Sequence, residues 1–135
     1  MLRIVILLIT VLACLSCSIK KQTPDCSRFR TGNFKYRGHK DEQFLIERND
    51  SMHIETDNNT GITMKLRVQW FEPCVYELQF LSYVMSGKNT TGGTEKPKFP
   101  PIRSRIIETA ENYYISLSMM EGEKNESRDT IWKIE

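Results

Sequence analysis

The chain has 135 residues, of which 27% are charged, with 19 Lys and Arg against 17 Asp and Glu and a net charge of +2. That length suits one domain with a modest core. The near balance of charge argues against a nucleic-acid binder, which concentrates a basic excess on one face, and against a disordered acidic tail.

Arg3 opens the chain's first pattern. It precedes an apolar run, IVILLITVLA, then small residues, then Lys20 and Lys21. Some ten to fifteen apolar residues are too few to cross a bilayer core of about 30 Å as a helix. The order of basic, apolar and small residues is that of a secretory signal peptide. Removal of Arg3 with this segment leaves 18 basic and 17 acidic residues, a charge of +1.

Small residues followed by cysteine occur twice here, as VLAC ending at Cys14 and CLSC ending at Cys17. Both resemble the lipobox of bacterial lipoprotein precursors, over the first eighteen residues only. That resemblance implies a lipid on the cysteine thiol, cleavage before it and acylation of the new N-terminus. Cysteine parity favours Cys17, with Cys14 as the alternative. Lipidation of Cys17 leaves Cys26 and Cys74 as one pair, whereas lipidation of Cys14 leaves Cys17 as an odd thiol in an oxidising compartment. The expected organisation is a signal peptide over residues 1–16, a lipid anchor and tether over 17–30 and a β-domain over 31–135. Lys20 and Lys21 lie where they can meet anionic headgroups. Nothing near them resembles an acidic surface-export signal, so a periplasm-facing position is expected on a cell or outer membrane. A competing reading is a secreted eukaryotic glycoprotein, since Asn58, Asn89 and Asn125 each begin an Asn-x-Ser/Thr triplet.

Beyond the tether the apolar period is two. GNFKYR alternates Phe34 and Tyr36 with Lys35 and Arg37. QFLIER and SMHIET flank Asn49 and Asp50, residues that tolerate the backbone of a tight hairpin turn. DNNTG then leads into GITMKLRVQWF, where Ile62, Met64, Leu66, Val68 and Trp70 share one face. Pro73 marks a corner before CVYELQFLSYV, and IRSRIIET, NYYISLSMM and DTIWKIE follow. No helical spacing interrupts this series after Cys26.

The expected fold is therefore all-β, an antiparallel meander of about eight strands. It can close as a small up-and-down barrel, curl as an open sheet or split into a sandwich. Phe34, Tyr36, Phe44, Trp70, Tyr76, Phe80 and Tyr113 are assigned to its inner face. A Cys26–Cys74 disulfide is expected to tie the tether to the sheet, stabilising the domain by about 4 kcal/mol on the chain-entropy model.

Catalytic chemistry is hard to place. The two histidines are His39, in the polar segment RGHKDE, and His53, expected to face solvent between Met52 and Ile54. Neither has a local nucleophile and orienting group, and no spacing resembles a zinc site. GKNTTGG lacks the Gly-Lys-Ser/Thr ending of a phosphate loop. No enzyme activity, metal or cofactor is expected.

The long connection MSGKNTTGGTEKPKFPP carries Lys88, Lys96 and Lys98 beside Phe99, with Arg103 and Arg105 just after. Such a cluster can hold an anionic partner, and loops of this length are often functional or disordered. The functional expectation is a membrane-tethered, non-enzymatic domain of the cell envelope. Its partners would be membrane lipid through the anchor, and an envelope protein, a glycan or a small apolar ligand, with no nucleic acid. A structural or assembly accessory without a ligand cavity is the alternative. A void near 300 Å³ on the inner face separates the two.

Overall fold

The computed structural model describes residues 23–38, 42–85 and 99–134. Cys14, Cys17, His39, Lys88, Asn89, Lys96 and Lys98 lie outside the described residues. Eight strands follow a short 3-10 turn at Ser27–Phe29: β1 (Gly32–Arg37), β2 (Gln43–Arg48), β3 (Met52–Asp57), β4 (Ile62–Glu72), β5 (Val75–Met85), β6 (Ile102–Thr109), β7 (Tyr113–Met120) and β8 (Ser127–Ile134). Each strand pairs antiparallel with the next, and β8 returns to β1 through Asn33↔Ile134 and Lys35↔Trp132. The meander is a closed up-and-down barrel, which removes every sheet edge.

The turns explain the register. Asn49 Oδ1 accepts from the N–H groups of Ser51 (3.0 Å) and Met52 (2.8 Å), closing the β2–β3 hairpin. At β3–β4, the Thr60 hydroxyl and the Asn59 N–H hold the Asp57 carboxyl below its usual range. Gly61 completes that turn at φ 71°, a left-handed conformation that favours glycine.

Alternation along the strands sorts the two faces. Lys35, Glu47, Lys65, Arg67, Arg103 and Arg105 are exposed on the outside. Phe34, Ile46, Leu66, Val68, Tyr76, Leu78, Ile106 and Ile131 are buried within. A membrane-spanning barrel has the inverse arrangement, an apolar band facing lipid. This barrel carries charged side chains along its outer face and buries an apolar set inside.

One end of the barrel is plugged. Phe29 is fully buried and its ring lies 5.2 Å from that of Tyr114. The Cys26–Cys74 disulfide joins the plug to the β4–β5 turn, with Cα atoms 5.3 Å apart. Arg28 donates to the carbonyls of Ala110 and Glu111, and Lys133 Nζ donates to the Arg28 carbonyl at 2.6 Å. Arg30 lies over the Trp70 ring at 4.8 Å.

Two sequence expectations need correction here. Tyr113 is not on the inner face; it packs on Trp132 outside, with ring centroids 4.9 Å apart, and Tyr114 takes the inner position with no exposure. His53 does not face solvent. It is 2% exposed, because the β2–β3–β4 register sets it between Arg48 and Leu66 on the inner side.

Candidate functional site: a polar-floored cavity in the barrel

Above the plug the interior is not filled. A cavity of about 310 Å³ is lined by residues from all eight strands together with Phe99 and Pro100. Its apolar wall comes from Ile46, Met64, Leu66, Leu78, Phe80, Ile102, Met120 and Ile131. Phe99, Pro100, Met120 and Ser127 lie at the end away from the plug, where β6 and β8 begin and β7 ends. Phe99 is 51% exposed and meets the Phe80 ring at 4.9 Å.

The expected inner aromatics divide by depth. Tyr36, Tyr76 and Phe80 line the cavity. Phe34 is fully buried beside Tyr114, and Trp70 packs on Tyr76 at 4.7 Å near the plug. Phe44 stacks on Tyr36 at 4.7 Å without lining the void. The expected anionic-partner cluster is split where it is described. Phe99 turns to the cavity, while Arg103 and Arg105 are exposed on the outer side of β6, with Arg103 4.9 Å from the Phe71 ring.

The floor is polar. Arg48 is 4% exposed, and its guanidinium lies among the rings of Phe34, Tyr76 and Tyr114 at 5.2, 4.7 and 5.9 Å. Its Nε donates to His53 Nδ1 at 3.1 Å. Its Nη2 donates to the hydroxyls of Tyr114 (3.0 Å) and Tyr76 (3.4 Å), and Nη1 to the Phe29 carbonyl at 3.4 Å.

This bonding fixes the histidine tautomer. Arginine nitrogens only donate, so Nδ1 accepts and Nε2 carries the proton. Nε2 then donates to Glu55 Oε2 at 3.3 Å, and Glu55 Oε1 accepts from the Tyr36 hydroxyl at 2.7 Å. Burial pushes the His53 pKa down, and the Arg48 charge adds to that, against the pull of Glu55. Burial likewise raises the Tyr36 phenol, reinforced by Glu55. The chain Arg48–His53–Glu55–Tyr36 is thus a closed relay of protein-to-protein bonds. With both ring nitrogens taken, His53 has no lone pair to offer a substrate.

On β6, β7 and β8 the cavity wall is a strip of small hydroxyls. Ser104 and Ser118 share a hydrogen bond at 2.8 Å, and Ser127 donates to Asp129 at 3.1 Å. Ser116 is fully buried and lines the cavity, yet its Oγ has no hydrogen-bond partner. Among the described residues, Trp70 Nε1 is the other buried side-chain atom in that state. No group of three or more His, Cys, Asp or Glu side chains among the described residues is placed to hold a metal ion.

Sequence reasoning missed the relay because it sought apolar inner residues. The signal was nonetheless present: Arg48 and His53 flank a short turn, which places them opposite each other on one face. No protein-family model matches the chain, and neither a curated protein nor a solved structure matches it.

Proposed function

We propose that the chain is a lipid-anchored, non-enzymatic barrel of the bacterial cell envelope that holds one small amphipathic molecule in its interior. The observation that carries this reading is the cavity of about 310 Å³, apolar on most of its wall and polar at its floor. Pockets that bind small molecules have this character and start near 300 Å³. An accessory domain offering only contact surface would have no use for a void, since unfilled volume costs stability. A binding role fits the floor better than a catalytic one, because its titratable groups are bonded to each other.

The lipobox-like sequence around Cys17 supports the anchor, and the disulfide is consistent with an oxidising compartment. Cys17 precedes Cys26 by nine residues, a reach of at most about 30 Å. Cys26 is fixed at the plugged end and the mouth opens at the far end, which supports a tether entering on the plug side. In this arrangement the plug neighbours the bilayer and the cavity faces the aqueous side of the envelope.

Calorimetric titration of the purified protein with octanol tests the reading. We expect saturable binding of one molecule. Heat that shows only non-saturable partition, for octanol and for octanoate and octylamine alike, would overturn it.

A further inference from the structure

The donors at the cavity floor outnumber its acceptors. Arginine has five N–H groups, and four of those on Arg48 go to His53, Phe29, Tyr76 and Tyr114. All four partners are neutral. The Tyr76 and Tyr114 hydroxyls each accept from Nη2, which directs their own protons elsewhere. Ser116 adds a fully buried hydroxyl with no partner. The carboxylates on the cavity wall do not answer this surplus. Glu55 accepts from Tyr36 and His53, and Asp129 accepts from Ser127.

We propose that the ligand is a medium-chain carboxylate, entering head first so that its oxygens take the free Arg48 and Ser116 donors while its chain lies along Ile46, Leu66 and Leu78. This rests on the ligand-capture reading and names the chemistry of that same site. A buried cation without a direct anionic partner is costly, and an arriving carboxylate supplies the charge and two acceptors together. Volume sets the length. At about 30 Å³ per water-sized group, the cavity takes some ten non-hydrogen atoms. An eight-carbon acid has that count, so its chain stays within the cavity while its head reaches the floor.

The test compares octanoate, octanol and octylamine against the purified, disulfide-bonded protein at pH 7.5 by calorimetry. These probes share one chain and differ only in head group. A carboxylate that meets buried charge-assisted donors is expected to bind about ten- to a hundredfold tighter than the alcohol, with the amine weakest. Octanol or octylamine binding as tightly as octanoate would overturn the carboxylate assignment and leave ligand capture standing. Failure of all three to bind overturns ligand capture itself. Ser116→Ala supplies a second readout. Because the hydroxyl has no partner, its removal leaves the urea midpoint unchanged or slightly raised. Octanoate affinity is expected to fall about fivefold, with octanol less affected. Unchanged octanoate affinity in a folded Ser116→Ala protein contradicts the placement of the head group.

Discussion

Arg48 and His53 face each other across the β2–β3 hairpin, Nε to Nδ1 at 3.1 Å, as a cation and a neutral base locked together inside a barrel. The pair gives the fold a pH response. Burial first, then Arg48, depresses the His53 pKa below its ordinary 6.5. Between the depressed value and 6.5 the unfolded chain binds a proton that the folded chain refuses, so stability is complete above about pH 6.5 and falls as pH drops below it. Urea midpoints measured at pH 7.5, 6.5 and 5.5 should decline for the native protein and decline less for His53→Gln. Parallel declines would show that His53 does not govern this window.

Tyr36→Phe removes the hydroxyl that donates to Glu55 Oε1 at 2.7 Å and leaves a mostly buried carboxylate short of one donor. A loss of about 1–3 kcal/mol is expected, read as a lower urea midpoint with unchanged slope. A midpoint equal to that of the native protein would mean that solvent replaces the bond without cost.

The Cys26–Cys74 bridge spans 48 residues of sequence and fastens the plug. Replacing both cysteines with alanine should cost about 2–5 kcal/mol and loosen the turn bearing Phe29 before the strands separate. Hydrogen exchange checks this order. Faster exchange confined to the plug is expected, and uniform acceleration across all strands contradicts it.

Lipidation is tested at the N-terminus. Mass spectrometry of protein extracted from native membranes should find a chain that begins at an acylated Cys17, and Cys17→Ser should shift the protein to the soluble fraction. A mature chain that begins with an unmodified residue removes the anchor from the account.

Much of this architecture was legible in the alternation of residues, and its failures are informative. GITMKLRVQWF assigned Leu66 and Val68 inward and Lys65 and Arg67 outward, as β4 has them. Short connections implied a meander, but closure depends on β1 meeting β8, a pairing of distant segments that no local pattern encodes. On β7 the more apolar face misled. Tyr113 reads as core, yet Tyr114, Ser116 and Ser118 point inward because that sector of the cavity is lined with hydroxyls. The disulfide followed from parity, whereas the relay did not follow from any rule that buries only apolar groups. A buried arginine is visible in sequence only when its hairpin partner is read with it.

The location of a bound octanol chain tests the central claim most directly. Intermolecular nuclear Overhauser effects, recorded on methyl-labelled protein with octanol in slight excess, report which side chains surround the ligand. The account predicts cross-peaks from the octanol methylenes to Ile46, Leu66 and Leu78. Cross-peaks confined to the exposed Leu45 and Val84 methyls would place the molecule on the outer wall and contradict an interior binding site.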